Sequence, residues 1–125
     1  MKRLRILTYC PGGVEQQGYW QEWAGLLGQL GSLTLDLECF QRREDWIAAL
    51  RQREREDGIL GAACTLQDME ANGGKADLEF LDGLVQRGFP VLMCSRNTLE
   101  VNLEKLPVLC QRQWQLLRAQ FGQRL

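Results

Sequence analysis

The sequence contains no histidine. That absence removes every mechanism that rests on an imidazole: Ser-His-Asp and Cys-His catalysis, phosphohistidine relays and most zinc chemistry. No apolar run approaches the ~20 residues of a membrane span. The apolar stretch behind the basic amino terminus (MKRLRILTYCPGG) is too short and too β-like for a signal peptide. Excess basic charge is missing too. Fifteen Lys and Arg stand against 16 Asp and Glu, a formal net charge of −1, which argues against general electrostatic binding to nucleic acid or anionic lipid. No two cysteines have the CxxC spacing of metal and redox motifs. Neither GK[ST] nor GxGxxG occurs, so the nucleotide-phosphate signatures are absent. Carboxylate chemistry, thiol chemistry, backbone binding of anions and binding without chemistry are left.

What is present describes a globular chain. Its 125 residues, 45% hydrophobic and 25% charged, suit one domain spanning 1–125 with a core that needs no disulfide or metal staple. Five cysteines are an odd number. With no export signal, they read as free thiols in a reducing cytoplasm.

Short β-like runs alternate with helical periods. Residues 3–9 (RLRILTY) form an apolar run closed by Cys10-Pro11-Gly12-Gly13. Trp20, Trp23, Ala24, Leu27 and Leu30 recur at helical spacing up to Gly31. Residues 33–40 (LTLDLECF) alternate with period two, and their polar positions predict a strand at a wet edge. Residues 43–56 form a surface helix that buries Trp46, Ala49 and Leu50. Asp57-Gly58 turns the chain into 59–66 (ILGAACTL), a strand of small residues buried on both faces. A polar loop (QDMEANGGK) leads to an amphipathic helix over 77–87, and 89–95 (FPVLMCS) is a buried strand. Asn97-Thr98 caps a short helix through about 105, residues 106–110 form a last strand, and 111–124 close the chain as a helix. Strict alternation of this kind predicts an α/β fold. The expected architecture is three layers around a five-stranded parallel sheet in the flavodoxin-like order 2-1-3-4-5.

Ligands of such sheets bind beyond the carboxyl ends of the strands, where the strand order reverses. Two loops meet that description, 10–18 and 65–76, each with paired glycines. In the first, Cys10, Gly12, Gly13 and Gln16 are candidate ligand contacts, since backbone amides and a helix amino terminus favour an anion. A flexible turn before the bulky Tyr19-Trp20 pair is the plain alternative. The second stretch is acidic: Asp68, Glu70, Asp77, Glu79 and Asp82 stand against Lys75. These acids either complement helix dipoles or form a carboxylate cluster for acid–base work. Cys10, Cys39, Cys64, Cys94 and Cys110 each fall near the carboxyl end of an expected strand. They read as small buried hydrophobes or as a thiol row along one sheet edge. Cys10 is the reactive candidate, because a helix amino terminus lowers a thiol pKa.

Leu66-Gln67-Asp68-Met69, Gly73-Gly74, Phe80-Leu81 with Leu84, and Pro90-Val91-Leu92-Met93 ending in Ser95 resemble the middle of bacterial response-regulator receiver domains. The likeness covers about a third of the chain. The family's phospho-acceptor position falls on Ala63, its acidic pair on Tyr9 to Gly12, and its lysine on Cys110. Ser95 alone stands where the switching hydroxyl belongs, which makes it a further candidate contact. The resemblance therefore implies a pseudo-receiver: no Mg²⁺ site, no acyl phosphate, no cofactor and, on balance, no enzyme. Its expected partner is another protein or a small anionic ligand, with a homodimer admissible. Leu99, Val101, Leu103, Trp114 and Leu117 either line its contact face or belong to the ordinary core.

A fainter resemblance is to nucleoside 2-deoxyribosyltransferase-like proteins. It is carried by Tyr9, by Gln16 or Gln17, and by Gly74 followed by Glu79. It implies a carboxylate nucleophile at Glu79, with Asp68 or Asp77 as helper acid and Tyr9 beside them. Convergence of these acids with Tyr9 on a concave pocket is the arrangement that would favour such an enzyme.

Overall fold

The computed structural model describes residues 3–72 and 74–94, together with 115, 118 and 119. Its elements are β1 (Arg3–Tyr9), α1 (Gly13–Gly31), β2 (Thr34–Phe40), α2 (Arg43–Arg53), β3 (Ile59–Thr65), α3 (Leu66–Asn72), α4 (Lys75–Gln86) and β4 (Val91–Cys94). The four strands form one parallel sheet in the order β2-β1-β3-β4. This is the α/β arrangement expected, and it matches the first four strands of the flavodoxin-like order. The expected fifth strand, the expected short helix through about 105 and Ser95 lie outside the described residues, and of the expected helix over 111–124 only residues 115, 118 and 119 are described, all helical.

The chain leaves β1 for β2 on one side and later returns past β1 to β3 on the other. Right-handed crossovers then require the two connecting helices to lie on opposite faces. The core divides accordingly. On one face α1 sets Trp20, Trp23, Ala24 and Leu27 against Leu4, Ile6, Leu35, Ala63 and Leu92. On the other, Trp46, Ile47 and Leu50 of α2, Met69 of α3, and Leu81 and Leu84 of α4 pack on Leu7, Tyr9, Ala62 and Cys64. Helices thus cover both faces of the sheet.

Each strand reads as its position demands. β3 lies between two neighbours and under helices on both faces, and all seven of its residues are buried. β2 occupies the edge, where Asp36 and Glu38 meet Arg3, Arg5 and Arg53. At Gly61 the backbones of β3 and β4 close up, and an added Cβ would lie 2.5 Å from the Pro90 carbonyl oxygen.

Two expected boundaries change. α1 begins at Gly13, one full turn and more ahead of the first tryptophan. Cys10-Pro11-Gly12-Gly13 is a tight turn closed by the Gly13 amide on the Cys10 carbonyl at 3.4 Å, and Gly13 takes a φ of 75° as the chain swings into the helix. The expected polar loop after β3 opens as about two turns of helix, α3. The Thr65 hydroxyl oxygen accepts the Asp68 amide at 3.1 Å, so Thr65 caps α3. Thr65-Leu66-Gln67-Asp68 carries the Ser/Thr-x-x-acid spacing of a helix start, a signal that a reading by composition alone passes over.

Candidate functional site

Because α1 lies over one face and α3 over the other, a crevice is expected between the carboxyl ends of β1 and β3. The structure brings residues 10–18 and 65–72 together there, as the sequence predicts. The crevice is filled by the chain itself. Gln16, on the first turn of α1, donates from Nε2 to Asp68 Oδ2 at 2.7 Å, and its Oε1 accepts the Gly12 amide at 2.7 Å. Gln16 is 5% exposed and Asp68 2%. A buried carboxylate needs several donors, and an amide side chain can supply one without adding charge. Gly12 is held close by the same contact, since a Cβ there would meet Gln16 Oε1 at 2.9 Å.

Asp68 imposes a negative field on this end of the sheet. It is one of the causes that push the Tyr9, Cys10, Cys64 and Cys94 acids up. Burial is the largest cause for Tyr9, Cys64 and Cys94, and it carries Cys94 to about 12. The Tyr9 ring stacks on Trp46 at 5.4 Å between centroids, and Trp46 Nε1 donates to the Leu7 carbonyl at 3.0 Å. Tyr9 therefore belongs to the α2-side core. Its phenol is held protonated by burial even though Arg43 pulls the other way.

The remaining acids are dispersed. Asp77 pairs with Arg43 at 2.8 Å and ties α4 to α2. Glu70 and Glu79 are exposed, in an environment unlike that of Asp68. Ala63, at the position that resembles a phospho-acceptor site, is fully buried in the α1-side core. Among the described residues no three Cys, Asp or Glu side chains are grouped to hold a metal ion.

The cysteines do line up along the carboxyl edge, but the pleat divides them. Cys10, Cys94 and the half-buried Cys39 belong to the α1 face, and Cys64 to the other. Thr65 rather than Cys64 is in register with Cys94, and a one-residue offset moves a side chain to the opposite face. The expectation for Cys10 is corrected. Its thiol is fully buried in the core instead of standing at the amino terminus of α1. Hydrogen bonding to Cys39 and then burial push it up, and Cys39 is the thiol held below its ordinary value. Cys110 lies outside the described residues.

At the rim around the closed crevice two apolar side chains face solvent. Val14, on the first turn of α1, is 82% exposed, and Leu66, which opens α3, is 43% exposed. Apolar periodicity does not mark either one, because each falls outside the buried face of its helix.

No protein-family model, no curated protein and no solved structure matches the chain. Among the described residues no helix is long and apolar enough to cross a membrane.

Proposed function

We propose that this chain is a binding module, a receiver-like domain that takes no phosphoryl group and acts by contact with another protein at the carboxyl rim of its sheet. The observation that carries this reading is the buried Gln16–Asp68 hydrogen bond. It fills the place where sheets of this kind hold ligands and leaves a carboxylate at its centre. A negative field there opposes a small anion, so of the two partner classes implied by the sequence, a protein is favoured. Val14 and Leu66 supply exposed apolar surface on either side of the filled crevice. The burial of Ala63 supports the absence of phosphoryl chemistry, since no carboxylate stands at that point of β3.

The test is incubation of the purified chain with radiolabelled acetyl phosphate and Mg²⁺, alongside a thermal-shift series with inorganic phosphate, sugar phosphates and nucleotides. Neither label nor stabilisation is expected. Stable label on an aspartate, or a rise in melting temperature that saturates with one anion class, would overturn the proposal by mass action.

A further inference from the structure

The parallel pairing of β1 and β2 sets Thr8 opposite Cys39 and Tyr9 opposite Phe40. Cys10 follows directly, and its amide donates to the Phe40 carbonyl at 2.7 Å, which keeps the chain tied to β2 one residue past the end of β1. Thr8, Cys10 and Cys39 therefore share the α1 face of two adjacent strands, ~4.8 Å apart. The Cys10 thiol donates to the Thr8 carbonyl at 3.9 Å, which holds it beside the residue paired with Cys39. Cys10 is fully buried, whereas Cys39 lies on the edge strand and is half-buried, within reach of solvent. Beside them is an unusual polar group. The Thr8 hydroxyl is completely buried and makes no hydrogen bond, although native folds satisfy nearly all such groups. An unpartnered donor beside Cys39 suits a sulfur that carries negative charge for part of its working cycle.

The other two described cysteines have no such arrangement. Cys94 donates to the Cys64 carbonyl at 3.8 Å, and the two side chains point to opposite faces of the sheet.

We propose that Cys39 and Cys10 are a peroxide-reactive thiol pair that closes reversibly to a disulfide between β1 and β2. Cys39 is the nucleophile and Cys10 the resolving thiol. The Cys39 thiolate attacks one oxygen of hydrogen peroxide, the O–O bond breaks, and two electrons pass from sulfur to the peroxide. The hydroxide released takes up a proton to leave as water, and Cys39 becomes a sulfenic acid. The Cys10 sulfur then attacks the Cys39 sulfur. The S–S bond forms as the S–O bond breaks, and the Cys10 proton leaves with that oxygen as a second water. A small dithiol reverses the change by thiol–disulfide exchange. Exposure divides the roles, because Cys39 on the edge strand is half-buried and can meet peroxide, whereas Cys10 is fully buried beneath it.

The experiment treats the whole chain with one equivalent of hydrogen peroxide at neutral pH, followed by alkylation in denaturant and peptide mapping. Trypsin leaves both cysteines on one peptide, residues 6–42, since no Lys or Arg lies between them. That peptide is expected two hydrogens lighter and unalkylated, with Cys64, Cys94 and Cys110 alkylated. Cleavage after Glu15 or Glu22 should then give two fragments that separate only on reduction. In C10S the reaction should halt at a sulfenic acid on Cys39 that dimedone captures, and in C39S oxidation should slow at least about tenfold. A disulfide involving any other cysteine in the wild-type chain, C39S oxidising at the wild-type rate, or no dimedone adduct on Cys39 in C10S would each overturn the pair. The wild-type map needs no variant, so misfolding of a serine variant cannot shelter the proposal.

Discussion

If the crevice is closed by Gln16, replacing that residue with leucine should be costly although leucine fills a similar volume. Gln16→Leu removes a hydrogen bond to a carboxylate that is 2% exposed, and bonds to charged groups are worth about 1.5–3 kcal/mol. It also strips the Gly12 amide of its acceptor, a smaller loss of about 0.5–1 kcal/mol because that group is only part-buried and can turn to water. Leucine returns part of this through apolar burial at a site 5% exposed, on the order of 1 kcal/mol. The net expectation is a destabilisation of about 2 kcal/mol, a large part of the ~5–15 kcal/mol typical of a domain. Urea unfolding followed by tryptophan fluorescence measures it directly, since Trp20, Trp23 and Trp46 are all buried. With a slope of about 1–3 kcal/mol per molar urea, the midpoint should fall by roughly 1–2 M at unchanged slope. A shift below about 0.5 kcal/mol would mean that the contact does not join the two rim segments, and the crevice argument would go with it.

Gln16→Glu separates shape from charge. It sets two carboxyls where the wild-type chain has an amide donating to a carboxylate at 2.7 Å. Like charges so close cannot both ionise, so one carboxyl retains its proton well above the unfolded value of ~4.3. A raised folded-state pKa contributes stability that is fully present below the unfolded pKa and lost as pH rises. The gap between this variant and the wild type should therefore widen from pH 4 to pH 7. A gap that stays constant over that range would show that Asp68 is not where the charge resides.

Two further outcomes follow from the core. Gly61→Ala places a Cβ against the Pro90 carbonyl oxygen, part of the backbone on the next strand, which also accepts the Ala62 amide at 2.9 Å. A destabilisation above about 2 kcal/mol is expected in the same urea assay, and a neutral substitution would show that β3 and β4 are not as close as described. The buried acids make the fold sensitive to alkali. Cys64, Cys94 and Tyr9 hold their protons above their ordinary values, so above about pH 9 the unfolded chain binds fewer protons and stability must fall as pH rises. Cys94→Ala should flatten that fall by up to about 1.4 kcal/mol per pH unit between 9 and 12, and an unchanged slope would contradict the burial of this thiol.

The parts of this fold that the sequence makes legible are those in which one physical demand acts alone. β3 is written in small apolar residues because both of its faces are covered, and β2 alternates because it is an edge. The site is less legible, and for a definite reason. Gln16 and Asp68 are 52 residues apart and polar, so neither periodicity nor composition marks them as buried. Only the switch-point rule brings their segments together, and it does so at the level of loops. The cysteines fail differently. Their spacing reveals the shared sheet edge, but the face that each one occupies depends on inter-strand register, which is set by pairing partners that a single chain does not spell out. Cys10 looks accessible from its place before a helix and Cys39 does not, yet Cys10 is fully buried and Cys39 is half-buried.

The proposed lack of phosphoryl chemistry and the closure of the crevice would share a physical root. A group of carboxylates at the end of a sheet holds together only when a cation neutralises it, and such a site stays open for exchange. In this chain the first strand ends in a turn of proline and glycine, and Ala63 carries no charge. Among the described residues Asp68 is the one buried acid, and a single carboxylate is satisfied by neutral donors. Gln16 is one such donor, and in giving its amide to Asp68 it seals the opening that a ligand would use. On the proposed reading, the scarcity of acids at this edge leaves the crevice self-sufficient. On the proposed reading a partner at this end would meet the chain from outside, across Val14 and Leu66, which are exposed.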